Sequence, residues 1–351
     1  MNRDVAISGL GAVTAAGTTP DELFDALLAR KSFFTDDFAG LAAYAVPPPV
    51  AEVLGTKGVR TLPRDVRMFL CAALPAADGL DSVARDRIGV VCATLDAGLG
   101  EYASVFRATR EEGRVGANPA LAPYTGFNAV TAATTIRLGA RGPGLTLSSG
   151  PAAGLEALIA GAGMVADGTA DAVIAGGVDV LTEMHPKTSG PTTPGEAAAA
   201  LTLTPADQGS EFVIAATAAT TAVPGDITGL RDAAREAITR TGASAGAVLA
   251  NATGDPAVDT ALASAIRDTL GASVPVAAVA GTTGNARGAD GALLALTAVL
   301  ALERDVVPPV ATLTDPTLAG LPRPLGEPAV LCLAAEPDGR VFTVLLRGAA
   351  R

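Results

Sequence analysis

The 351-residue chain has no tryptophan, one histidine and three cysteines, and each scarcity removes a class of chemistry. With His185 as the sole imidazole, zinc chemistry is not expected, and no metal site is assigned. Cys71, Cys92 and Cys332 are odd in number, far apart and set in apolar surroundings. That suits reduced core thiols better than disulfides or a metal cluster. Positive charge is short as well: 25 Lys and Arg face 36 Asp and Glu, giving a net charge of −11. Such a chain repels nucleic acid and anionic membrane. It also repels an acidic carrier protein, so a basic face for such a partner is expected on another chain. No apolar run approaches the ~18 residues of a membrane span, and the opening "MNRDVAISGLG" enters a strand with no signal-peptide core. The expectation is a soluble, cytoplasmic protein. Aromatics are only 3% of residues.

What the chain does have is a 49% apolar composition, enough for one large core or two fused ones. Short β-rich runs alternate with Ala-rich helical stretches, the pattern of an α/β fold with buried strands. The first half places strands at "VAISGLG" from Val5, "RIGVVCAT" from Arg87, "GLTLSS" from Gly144 and "ADAVIAGGVD" from Ala170. The second places them at "EFVIAAT" from Glu211, "GAVLANA" from Gly246, "VPVAAVAG" from Val274, "AVLCLAA" from Ala329 and "VFTVLLRG" from Val341. Similar strand content suggests two like halves, 1–205 and a shortened 206–351, in one compact unit. Helices are expected at "PDELFDALLAR" from Pro20, "GLEALIAGAGMVADG" from Gly154 and "GALLALTAVLALER" from Gly291. The Pro- and Thr-rich stretch from His185 to Pro205 reads as a long surface loop.

Several local patterns have plainer explanations. "GLGAVTAAG" at Gly9 has Thr14 at the third glycine position of a dinucleotide fingerprint and no strand-end acid about 20 residues on, so it is a tight strand-to-helix turn. "GTTGNARG" at Gly281 lacks the Lys-Ser/Thr of a phosphate loop. Asp255 and Asp259 suit a solvated loop. "LTLSSGPAAGLEAL" from Leu145 is a strand, a Gly-Pro turn and a helix start, a corner at which enzymes expose a nucleophile. Its apex is Pro151, which has nothing to attack with. Ser148 and Ser149 beside it do not fit G-x-S-x-G, and Cys92 suits packing better than catalysis.

Over nearly its whole length the chain resembles the β-ketoacyl synthases. "VAISGLGAVTAAG" is similar to that family's opening, "LGARGPGLTLSSGPAAGLEALIAGAGMVADGTADAVIAGGVD" to its nucleophile segment, and "GNARGADGALLALTAVLALERDVVPP" to its second histidine segment. The resemblance implies an α/β thiolase-like fold, two similar βαβαβ halves packed as layers α-β-α-β-α. It also implies a cysteine at the central helix start and two histidines. Those positions hold Pro151, Thr253 and Asn285, and the lysine shortly before the second histidine is replaced by Ala280. "GSEFVIAATAATTAVPGDITGL" takes a shortcut through Pro224 and Gly225, and "AAEPDGRV" from Ala334 replaces the family's C-terminal glycine loop with an expected hairpin turn.

A scaffold kept without its catalytic groups resembles one paralogue class, the chain length factor or ketosynthase β-subunit of type II polyketide synthases. There the position of Pro151 is usually glutamine. The resemblance implies a heterodimer with an active ketosynthase α-subunit. It implies no cofactor on this chain; a phosphopantetheine-linked acyl group would reach the complex from an acyl carrier protein. Partner contacts are expected from Leu145 and Leu147 in the strand before the corner. A wall of the acyl tunnel is expected from Phe127, Val130, Thr131 and Thr134, which recur at helical spacing; ordinary core is the plain alternative for that stripe. Two other functions remain open here: a homodimeric acyl-binding protein, and a divergent condensing enzyme or thioesterase using Ser149 or Cys92.

Overall fold

The computed structural model describes residues 3–37, 40–183, 193–242, 244–311 and 321–349. His185 lies outside the described residues. Ten strands form one mixed sheet. In the first half they are β1 Val5–Val13, β2 Ile88–Ala93, β3 Gly144–Leu147, β4 Ala172–Asp179 and β5 Ala197–Pro205. In the second they are β6 Phe212–Thr221, β7 Ala247–Ala250, β8 Val276–Ala277, β9 Ala329–Ala335 and β10 Arg340–Gly348.

From the centre outward the first half runs β1-β5-β4-β2-β3 and the second β6-β10-β9-β7-β8, so each strand has a counterpart five places on. The strand directions repeat too: β2, β3 and β4 are parallel, as are β7, β8 and β9, while the remaining pairings are antiparallel. Within the ten-stranded sheet the two halves meet where Val5 and Ala6 pair with Ile214 and Val213.

Alternation along the strands separates three cores. In β4, Val173 and Ala175 face the central core, while Ala172, Ile174 and Val178 face an outer one. In β9, Val330, Cys332 and Ala334 face the centre, and Leu331 and Leu333 face the third core. Between the halves lie α5 (Ala153–Ala166) and α8 (Asp290–Arg304), packed on each other and on strands of both. Every residue of α8 from Asp290 to Leu302 is buried, as a helix enclosed on all sides must be. Outside the first half lie α2 (Arg64–Ala76) and α4 (Ala129–Leu138); outside the second lie α6 (Ile227–Arg240) and α7 (Pro256–Leu270). The result is the layered α-β-α-β-α arrangement.

The start of α1 (Pro20–Leu28) is fixed locally. Thr19 and Glu22 form a reciprocal capping box, with Glu22 N donating to Thr19 Oγ1 at 3.2 Å and Thr19 N to Glu22 Oε2 at 3.1 Å. The shortcut after β6 leads through Pro224 and Gly225 directly into α6, and Ala335 to Arg340 form the expected hairpin between β9 and β10.

One expectation is corrected. Ala197–Pro205, expected as surface loop, is the buried strand β5, hydrogen-bonded between β1 and β4. Alanine has little strand preference of its own. Here two flanking strands supply backbone partners, and small side chains are needed, since a Cβ on Gly176 of β4 would lie 2.1 Å from the carbonyl oxygen of Ala199.

Candidate functional site

The corner forms as expected, at the free edge of the sheet. β3 ends at Leu147, Gly150 turns the chain with φ of +151°, Pro151 follows, and Ala152 caps α5. Pro151 therefore stands one residue ahead of the cap, outside the helix and not in its first turn. A missing N–H has no intrahelical partner to lose there. Ser149 Oγ is hydrogen-bonded to the Glu156 carboxylate, and the Arg340 guanidinium donates to the Ser149 carbonyl.

The two positions at which the resemblance places histidines are tied into their own loops. Thr253 N and Oγ1 donate to Asp259 Oδ1 at 2.9 and 2.8 Å. Asp255 caps α7 by accepting from Ala257 N at 2.9 Å. Both acids thus hold the loop in shape, which corrects their reading as merely solvated. Asn285 Oδ1 accepts from Arg287 N at 2.9 Å, and its backbone pairs with Thr193 and Gly195. Ala280 opens a four-residue helix, Ala280–Thr283. Asp290 accepts from Ala286 N at 2.8 Å, and burial pushes its carboxyl up to about 7.

Three contacts converge these loops on the corner. The starts of α5 and α8 meet where Gly154 packs on Gly288, Gly291 and Ala292. Asn251 and Ala335 exchange two hydrogen bonds of 3.0 Å, joining the Thr253 loop to the β9–β10 hairpin. From that hairpin Glu336 reaches back, and its carboxylate accepts from Ala152 N at the head of α5. The corner thus offers backbone amides, hydroxyls and carboxylates, but no thiol and no imidazole among the described residues. Cys92 is fully enclosed, and burial drives its thiol well above the ordinary range, so it presents neither thiolate nor access.

Beside the corner, β3 terminates the sheet with one long side unpaired among the described residues, an edge that proteins normally cover. Leu145 and Leu147 are half-buried and packed on the central core. The predicted wall divides. Phe127 precedes α4 and is 54% exposed, whereas Val130, Thr131 and Thr134 turn into the chain's own interior. Thr131 Oγ1 lies 2.6 Å from Thr146 Oγ1, and Thr134 Oγ1 donates to the Val130 carbonyl at 2.8 Å. The helix starts two residues after Phe127, too late to align the four, and the other three belong to core. The sequence reading missed other exposed apolar groups: Ile136 on α4 at 80%, and the stacked pair Tyr102 and Phe106 on α3 (Leu99–Glu112), a helix that packs on the 119–124 turn. A separate groove of about 490 Å³ lies by β8 at the far end of the sheet order, lined by Asn251, Asp259, Leu262, Ile266 and Val276. Among the described residues no acid, cysteine or histidine cluster could hold a metal, and no helix is long and apolar enough to cross a membrane.

The family model of the β-ketoacyl synthase N-terminal domain matches residues 56–191, and that of the C-terminal domain matches residues 209–314. The chain belongs to the β-ketoacyl synthase family. It is similar to 3-oxoacyl-(acyl-carrier-protein) synthase 2 of Vibrio cholerae, with 28% identity over 189 residues, 50% of this chain and 46% of the relative. The chain spans about half the length of the curated relatives it matches. Its fold is that of the ishigamide ketosynthase/chain length factor, with TM-score 0.86, 19% identity and 100% of both chains covered. A ketosynthase in complex with its chain length factor from Xenorhabdus doucetiae superposes with TM-score 0.80 at 21% identity, covering 99% of this chain and 98% of that one. The corner between β3 and α5 is the segment that the motifs marked, and Glu336 is its unforeseen member. The only sequence signal for Glu336 was an acid directly after the apolar run "AVLCLAA".

Proposed function

We propose that the chain is a non-catalytic, chain length factor-type subunit that pairs with an active ketosynthase and encloses the acyl chain growing on that partner in type II polyketide synthesis. The observation that carries this reading is the corner itself. Its strand, turn and central helix are intact, yet Pro151 supplies no nucleophile, and Thr253 and Asn285 supply no imidazole. A protein that keeps the geometry and not the reagents serves as scaffold.

The exposed edge of β3, with Phe127 and Ile136 at either end of the adjoining α4, supplies apolar surface such pairing would bury. In this reading the partner holds the cysteine and histidines, and the phosphopantetheine-linked acyl group arrives there from an acyl carrier protein. This chain binds no cofactor of its own. Phe127 is the remaining candidate for a tunnel wall.

The test is co-expression with the cognate ketosynthase, followed by size-exclusion chromatography and intact mass after exposure to acyl thioesters. A one-to-one complex is expected, with acyl adducts on the ketosynthase alone. A stoichiometric adduct on this chain would overturn the reading, as would an inert homodimer that ignores the ketosynthase.

A further inference from the structure

The replacement of the family's glycine loop by the β9–β10 hairpin has a specific physical effect at the corner. Glu336 is 2% exposed, although it sits in a turn. Its carboxylate accepts from Ala152 N, and its oxygens press on Gly150 so closely that a Cβ there would lie 2.6 Å from Oε1. The hairpin is braced in this position. Glu336 N donates to the Arg340 carbonyl at 2.8 Å, Arg340 pairs with Asp338 at 2.7 Å, and its guanidinium reaches the Ser149 carbonyl.

The head of a helix presents unpaired N–H groups and a positive dipole end, which favour negative charge. In this chain that position is already taken. We propose that Glu336 is a built-in stopper: its carboxylate fills the anion-receptive turn at the head of α5 and closes the corner to an acyl group, whatever residue stands at 151. Loss of the nucleophile and closure of the site are then two separate blocks. The second makes the first hard to reverse, because a thiolate at 151 would form between two residues that both touch the carboxylate.

The Ala152 N–H and Arg340 favour the charged form of Glu336 against its burial. Burial raises the Glu336 carboxyl to about 7, and Asp338 and Glu156 add to that rise. Asp290, at the head of α8, also faces it.

The inference needs only the corner, so its failure would leave the pairing with a ketosynthase untouched. The test compares Pro151→Cys with Pro151→Cys/Glu336→Gln in the full chain, by following iodoacetamide alkylation against pH with intact mass. Cys71, Cys92 and Cys332 are buried and give little background. In the single variant the thiol should titrate above the ordinary ~8.5, and in the double variant at least about one unit lower, with alkylation near pH 7.5 roughly tenfold faster. Equal titration and equal rates in the two would refute the stopper.

Should Pro151→Cys not fold, Glu336→Ala in the native background provides a second reading. Its melting temperature should fall, and acetate should restore it saturably where equimolar chloride does not, because a small carboxylate refills the turn. A folded Glu336→Ala protein indifferent to acetate would equally refute it.

Discussion

Two glycines on the same helix should respond in opposite directions to the same substitution. Gly154 lies near the head of α5 against α8, and a Cβ built on it would stand 2.6 Å from Ala292 N and 2.9 Å from both Gly288 O and Gly291 N. All three are backbone atoms and cannot rotate away. Comfortable carbon contacts begin near ~3.5 Å, so the helices would have to separate by roughly 1 Å. Both helices are packed on strands of both halves, so the shift would spread through the central core. Overpacking of this kind costs about 1–3 kcal/mol and occasionally more, and Gly154→Ala is expected at the upper end. Gly291→Ala should cost at least as much, because its Cβ would meet Leu155 N at 2.1 Å. Gly163, three turns along α5, is exposed with nothing within 4 Å of its Cβ position. There alanine only relieves the backbone entropy of glycine and should stabilise by about 0.5–1 kcal/mol. Urea unfolding at fixed pH measures all three, with unchanged m-values as the condition for comparison. If Gly154→Ala and Gly291→Ala unfold at the wild-type midpoint, the close approach of α5 and α8 is wrong.

Two further outcomes are expected. Burial raises the carboxyls of Asp65 to about 6 and of Asp290 and Glu336 to about 7. The folded chain therefore holds protons that the unfolded chain releases at lower pH, and stability should fall as pH rises from about 4 through about 7. For Glu336 alone, the rise from 4.5 to about 7 corresponds to roughly 3 kcal/mol. Asp171, held well below the carboxylate range by Arg87 and then Arg3, acts in the opposite sense: its contribution is present at neutral pH and is lost only as pH falls below 3.8. Melting temperatures should decline between pH 5 and 8, and less steeply in Glu336→Gln; a flat wild-type profile would count against these buried acids. At the proposed partner surface, Ile136→Glu should weaken association with the ketosynthase in a pull-down, while Phe127→Ala should lengthen carrier-bound products by mass spectrometry. Thr131→Trp and Thr134→Trp are expected to unfold the chain rather than shorten products, because both sites are buried. Wild-type product lengths with Phe127→Ala in an intact complex would remove Phe127 from the tunnel wall.

Much of this protein was written locally. Runs of Val, Ile and Leu broken by Gly and Pro marked every strand of the ten-stranded sheet except β5, and the capping box of α1 stands in four consecutive residues. The strand-turn-helix pattern around Pro151 marked the corner without coordinates, and β3, the turn at Gly150 and α5 form it. These are properties of short windows, in which residue type and spacing carry the physics. β5 escaped because Ala197–Ala200 become strand only between two neighbours distant in sequence. The stripe at Phe127 failed because spacing alone does not say where a helix begins, and α4 starts after it. Glu336 was out of reach for a stronger reason. It meets Ala152 across 184 residues, and an acid in a turn is ordinarily solvated. Only the folding of the second half onto the first puts that carboxylate at the head of α5, where burial and a free N–H decide what it does.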